Sequence, residues 1–301
     1  MPRTRLTLLF CLLLVSAAPH AGQLPVAAAQ NEPLQLASVH AAVGPVDEDT
    51  QWFGKRENHT VPIASLTKVM TALVVMDSGL PLDEWLIVVE RTEATEKNAY
   101  SRIRIGSELT RGELLRLALM SSENLAAHVL ASHHPGGRDA FIAAMNDKAR
   151  ELGMHSTHFV DPSGLSPENR STAADMLRMA RAAQEHEAIR RYSTTSYQSA
   201  AFRAPRYRLG YGNTNPLVSN PRWPVALSKT GYLNEAGRCL LMVTEIAGEP
   251  VAMVFLNSRG TRSPLGDAGR TRRWLTTGDG GSVAPSARSY EQEQARQLES
   301  R

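Results

Sequence analysis

From Ile63 to Met76 the apolar residues Ile63, Leu66, Val69, Met70, Leu73, Val74 and Met76 cover nearly every face of a helix. Such a helix is buried on all sides at the centre of its domain, and Gly79 supplies its stop. Ahead of it, extended segments at Val39 to Val46 and Gln51 to Lys55 flank the acidic turn Asp47-Glu48-Asp49 and suggest a hairpin. The middle of the chain is helical in character. Thr110 and Glu113 have capping-box spacing before Leu114, Leu115, Leu117 and Leu119; Phe141 to Leu152 is amphipathic and ends at Gly153; Ser171, Thr172 and Asp175 open a further helix. Two short apolar runs, Cys239 to Thr244 and Val251 to Leu256, are separated by Ala247-Gly248-Glu249 and read as a second hairpin. Leu265 to Thr277 closes the pattern as a helix with Trp274 and Leu275 inward. Strands at both ends with a helical block between them predict an α+β fold, an antiparallel sheet flanked by helices with an inserted all-helical lobe.

The ends of the chain differ from this body. Met1 to Ala18 carries Arg3 and Arg5, an apolar run from Leu6 to Val15 and then small residues, the layout of a secretory signal peptide too short to span a bilayer. Cleavage after Ala18, Ala21 or Ala29 fits equally. The organisation expected is therefore a signal peptide over 1–21, a linker over 22–33, one domain over 34–278 and a tail over 279–301. The tail is rich in Gly, Ser, Gln and charge without an apolar stripe. It is expected to be disordered and to offer no face for a stable membrane anchor. Loss of Cys11 with the leader leaves Cys239 alone, so no intramolecular disulfide can form. A formal charge of +3 without basic blocks argues against a nucleic-acid partner.

Ser65-Leu66-Thr67-Lys68 puts a hydroxyl and an amine three residues apart at the start of the buried helix. Residues at that spacing share a helix face, so the Lys68 amine can reach the Ser65 oxygen and activate it as a nucleophile. Lys68 can take a proton only while neutral, which requires its pKa to fall by roughly three units through burial and a nearby cation. Lys229 is a candidate for that cation and for a substrate carboxylate. Ser122 can pass a proton to the departing nitrogen, and the side-chain amide of Asn124 can hold a substrate carbonyl. Lys229-Thr230-Gly231 reads as a strand along which a peptide could lie, with Gly231 leaving room for it. The amides of Ser65 and Tyr232 could form the oxyanion hole. Each motif alone is common: a serine near a lysine, a Ser-Asn helix break, an edge strand with an exposed lysine. Their order and spacing together carry the signal.

The segments Pro62 to Lys68, Ala118 to Asn124 and Lys229 to Leu240 resemble those of the low-molecular-mass penicillin-binding proteins. Asp161-Pro162-Ser163-Gly164-Leu165-Ser166-Pro167-Glu168-Asn169 and Asn213-Thr214-Asn215 are similar in particular to its D-alanyl-D-alanine endopeptidase type. The resemblance runs from about Pro62 to Gly278. It implies a DD-peptidase/β-lactamase-like fold and a periplasmic serine peptidase that hydrolyses D-alanyl-diaminopimelyl cross-links, works on peptidoglycan stem peptides, is acylated by β-lactams, and needs no metal or organic cofactor. By matching positions, Ser65 is the acyl-ester nucleophile, Lys68 the base, Ser122 and Asn124 the second motif, and Lys229 the substrate-binding lysine. A D-alanyl-D-alanine carboxypeptidase is the alternative with the same chemistry. A β-lactamase would need a glutamate to drive water, for which Glu168 is placed in a loop that fits the peptidase pattern better. A zinc peptidase would have to draw on His133, His134, His155, His158 or Glu185-His186-Glu187, which lack the usual helical zinc signature. A non-catalytic wall-binding protein would require a defect hidden behind intact motifs.

Overall fold

The computed structural model describes residues 33–91 and 100–299; the predicted signal peptide and almost all of the linker lie outside them. The chain begins with the expected hairpin, β1 (His40–Pro45) and β2 (Phe53–Lys55), then a short β3 (Val61–Pro62) and helix α1 (Thr67–Asp77). Paired strands β4 (Trp85–Ile87) and β5 (Glu108–Thr110) lead into α2 (Arg111–Met120), α3 (Asn124–Ser132) and α4 (Gly137–Glu151). A two-residue β6 (Arg170–Ser171) precedes α5 (Ala173–Gln184) and α6 (Glu187–Ser193), followed by the hairpin β7 (Tyr197–Phe202) and β8 (Tyr207–Gly212). Three long strands, β9 (Val225–Leu233), β10 (Gly237–Ile246) and β11 (Glu249–Ser258), and helices α7 (Ser263–Thr277) and α8 (Pro285–Glu299) complete the fold.

The main sheet has the order β2-β1-β11-β10-β9, with every neighbouring pair antiparallel. Both of its faces are covered, which is why β10 and β11 read as continuous apolar runs rather than alternating ones. Ala41, Val43, Leu240, Met242, Met253 and Phe255 turn to one side, where they meet Ala268, Trp274 and Leu275 of α7. Ala42, Leu241, Val243, Ala252 and Val254 turn to the other and join the larger core of the helical lobe. In that lobe Thr67 to Val75 of α1 are all buried, as an all-round apolar helix requires. The predicted caps hold in part: Thr172 accepts from the Asp175 amide at 3.0 Å, and Thr110 accepts from the Glu113 amide at 3.3 Å. Glu113 does not reciprocate; its carboxylate pairs with Gln198 at 2.6 Å and Arg116 at 3.0 Å.

The tail departs from expectation. Instead of being disordered, most of it forms α8, and the reason lies in a few anchors rather than an apolar stripe. Val283 and Ala295 are buried, the Glu291 carboxylate pairs with Lys55 at 3.2 Å and Arg56 at 2.6 Å, and the Tyr290 hydroxyl donates to Asn257 Oδ1 at 2.7 Å. These partners are more than thirty positions away in sequence, where local periodicity carries no trace of them.

Candidate active site

The short β3 pairs with β6 (Val61 with Ser171, Pro62 with Arg170) and so fixes the chain entering a 3-10 turn over Ala64–Leu66 and then α1. Ser65 sits in that turn after Ala64, whose φ of +48° is left-handed, a conformation that costs a residue with a side chain about 1–2 kcal/mol. One turn on, Lys68 is fully buried. Its Nζ donates to Ser65 Oγ at 2.9 Å, Asn124 Oδ1 at 2.7 Å and the Ser163 carbonyl at 2.5 Å. Three acceptors from three segments leave the amine one position, facing the serine.

Burial is the main force on Lys68 and brings its pKa down to about 7. The charges of Asp161 and Glu123 oppose the fall, and Arg91 adds to it. The shift is of the size the chemistry needs and burial leads it as expected, while the cation that adds to it is Arg91 rather than Lys229. Lys229 is itself buried and held well below the usual lysine range, first by burial and then by the charge of Lys68. A substrate carboxylate arriving beside Lys229 would favour its charged form.

Ser122 lies between α2 and α3 with a φ of +62°, so the chain turns sharply and presents Ser122 and Asn124 to a cleft shared with Ser65. The opposite wall is β9. Lys229 stands on it, buried rather than exposed as an isolated edge strand would have it, and its Nζ donates to the Thr230 carbonyl at 2.8 Å. Thr230 Oγ1 donates to Thr214 Oγ1 at 2.7 Å. Gly231 lines the cleft and also packs against the nucleophile turn. A Cβ there would stand 3.2 Å from Ala64 Cβ, the Ile63 carbonyl and the Ser65 amide nitrogen, so a side chain would have to push the nucleophile turn back by a few tenths of an ångström. That contact brings Gly231 beside the Ser65 amide, with Tyr232 next on the strand and lining the same cleft. The Tyr232 ring is half-exposed under the Arg238 guanidinium, 3.8 Å from its centroid.

The cleft has a volume of about 410 Å³. It gathers Ser65, Ser122, Asn124, Thr230, Gly231 and Tyr232, while Lys68 and Lys229 are buried behind this lining and hydrogen-bond to Ser65, Asn124 and Thr230. It also contains Thr214, Arg238 and Arg262, whose places sequence reasoning missed. The Asn213-Thr214-Asn215 motif was the available signal for Thr214. Asn213 donates to the Ser193 and Thr195 carbonyls, both at 2.8 Å, and Asn215 donates to Ser228 Oγ at 2.9 Å, so the two asparagines tie the segment to the end of α6 and to β9, while the Thr214 amide donates to the Met120 carbonyl of α2 at 2.9 Å. Cys239 is buried at the cleft and its thiol is pushed up to about 12 by burial, which leaves it unreactive. Among the described residues no group of three or more His, Cys, Asp or Glu could hold a metal ion.

A hydroxyl and a buried amine one helical turn apart, facing a second serine and a lysine-bearing strand across a cleft, define a serine acyl-transfer enzyme. The profile of the D-alanyl-D-alanine carboxypeptidase family matches residues 28–260. The chain belongs to that family and is a serine-type D-alanyl-D-alanine peptidase. It is 44% identical to a D-alanyl-D-alanine endopeptidase of Pseudomonas aeruginosa over 95% of this chain and 92% of the relative. It is 42% identical to a D-alanyl-D-alanine endopeptidase of Escherichia coli over 99% of this chain and 97% of the relative. The crystal structure of a Streptomyces DD-transpeptidase superposes with a TM-score of 0.73 at 26% identity, covering 82% of this chain and 98% of that one.

Proposed function

We propose that the chain is a periplasmic serine D,D-endopeptidase that hydrolyses D-alanyl-diaminopimelyl cross-links between peptidoglycan stem peptides. The observation that carries the chemistry is the 2.9 Å contact from Lys68 Nζ to Ser65 Oγ, made by an amine whose burial brings its pKa to about 7. Neutral Lys68 accepts the Ser65 proton as Oγ attacks the D-alanyl carbonyl carbon. The oxygen of the tetrahedral intermediate turns to the amides of Ser65 and Tyr232. Ser122 passes its proton to the departing amine and takes the one held by Lys68, the carbon–nitrogen bond breaks, and an acyl ester on Ser65 remains for water to hydrolyse with Lys68 neutral again. Asn124 turns its oxygen to Lys68, so the NH2 end of its amide would meet a substrate carbonyl. Lys229 and Thr230, with Arg262 in the cleft, suit the carboxylate of the leaving residue. β-Lactams would acylate Ser65 by the same steps.

The endopeptidase reading rests on the two relatives of that name, each matched over nearly its full length. The carboxypeptidase alternative rests on the description of the wider family. A β-lactamase role for Glu168 has no geometric support, since the residue is exposed and does not line the cleft. The location rests on the leader pattern of Met1 to Ala18. Purified protein incubated with cross-linked muropeptide dimers is expected to yield monomers faster than it releases D-alanine from monomeric pentapeptides. The reverse order of rates would assign it as a carboxypeptidase.

A further inference from the structure

The Asp161 to Asn169 loop has no part in the steps above, yet it is the most heavily hydrogen-bonded loop around the site. One Asp161 oxygen accepts from the Ser163 amide at 2.7 Å, Ser163 Oγ at 2.6 Å, the Gly164 amide at 2.7 Å and the Leu165 amide at 3.4 Å. The other accepts from the Ser166 amide at 2.9 Å and Asn169 Nδ2 at 3.1 Å. Six donors converge on one carboxylate.

The gathered loop touches the machinery at three points. The Ser163 carbonyl takes the shortest of the Lys68 bonds, at 2.5 Å. Gly164, with φ of +79°, lies so close to the nucleophile turn that a Cβ would fall 2.0 Å from the Ala64 carbonyl oxygen and 2.9 Å from the Ser65 amide nitrogen. Thr71 Oγ1 donates to the Pro162 carbonyl at 2.6 Å, and Asn169 Nδ2 reaches Thr67 Oγ1 at 3.2 Å, which ties the loop along α1. Asn169 also closes the loop on itself, its Oδ1 accepting from the Val160 and Asp161 amides at 2.7 and 3.2 Å.

We propose that Asp161 is the positioning residue of the acylation step: its carboxylate folds the loop that seats the Lys68 amine and braces the Ser65 turn. The inference rests on the reading of Lys68 as the base. Asp161 acts through Ser163 and Gly164, and reaches neither substrate nor the reacting atoms. Beyond geometry, its negative charge favours protonated Lys68, as does that of Glu123, while Arg91 acts against it and burial dominates. Lys229 in turn is lowered by the charge of Lys68, after burial. Removing the Asp161 charge therefore lowers the Lys68 pKa and makes the neutral amine available at lower pH.

The test measures penicillin acylation of the purified protein by intact mass across pH 5 to 9, alongside thermal unfolding. Asp161→Asn keeps the shape but replaces an acceptor with a donor and removes the charge. It is expected to lower the plateau rate by roughly 30-fold or more while moving the rising limb of the profile to lower pH. Asp161→Glu keeps the charge and misplaces the acceptors, so the plateau should fall with the limb near its wild-type position. A residue that merely stabilised the fold would lower the unfolding temperature of Asp161→Asn without moving the limb, and that result would overturn the proposal. If Asp161→Asn fails to fold, Asp161→Glu decides: a plateau within about twofold of wild type would also overturn it. Wild-type protein that penicillin does not acylate would count against the proposed function instead.

Discussion

Gly164→Ala is the substitution whose consequences the structure fixes most tightly. The new Cβ would stand 2.0 Å from the Ala64 carbonyl oxygen and 2.5 Å from its carbon, where ordinary contact begins near 3.4 Å. Loop and turn must therefore separate by more than about 1 Å, an overpacking cost of roughly 1–3 kcal/mol. The left-handed φ of +79° adds about 1–2 kcal/mol for a residue with a side chain. A total of about 2–5 kcal/mol corresponds to a fall in unfolding temperature of roughly 5–15 °C for a domain of this size. Because the displaced group is the carbonyl preceding Ser65, acylation should fall further than stability does, by about 100-fold for a 1 Å misplacement. Differential scanning calorimetry and a fluorescent penicillin read the two effects on one preparation. An unfolding temperature within about 1 °C of wild type, with acylation within about twofold, would refute the claim that this loop braces the nucleophile.

Lys68→Arg should lose most acylation although charge is retained, because a guanidinium stays protonated near neutral pH; a penicillin-labelling rate within about threefold of wild type would exclude Lys68 as the base. His40 is buried with its pKa lowered from 6.5 to about 4, chiefly by burial, so the unfolded chain binds its proton more readily. Stability should be fully present above pH 6.5 and fall by up to about 3 kcal/mol as pH drops toward 4; an unchanged slope of unfolding free energy against pH in His40→Gln would assign the loss elsewhere. Glu291→Gln removes the partner of Lys55 and Arg56 and should cost about 2 kcal/mol, and an unaltered denaturant midpoint would show that α8 docks without that pair.

Local patterns made much of this molecule legible, and the failures share a cause. The all-round apolar face of α1, the Thr172 cap and the apolar runs of β10 and β11 are local properties, and each appears where the sequence places it. The motifs that begin at Ser65, Ser122 and Lys229 meet in space in the order the sequence gives them, since Ser65, Ser122 and the Thr230-Gly231 pair after Lys229 line one cleft. What stayed hidden depends on contacts between distant segments. The α8 anchors join Glu291 to Lys55 and Arg56, and Arg238 and Arg262 join the cleft only through the turn of β10 and the start of α7. The packing of Gly231 against Ala64 is hidden for the same reason, since only the folded chain brings the two together. The small hairpin of β7 and β8 escaped because Ser, Gly and Arg break its alternation.

In the proposed reaction Ser65 carries the acyl group and Lys68 is its base. The most direct measurement is peptide mapping by mass spectrometry after penicillin treatment of wild-type and Ser65→Ala protein. The penicilloyl mass is expected on the peptide containing Ser65 in the wild type and on no peptide of Ser65→Ala. An adduct on Ser122, or any adduct retained by Ser65→Ala, would contradict the account.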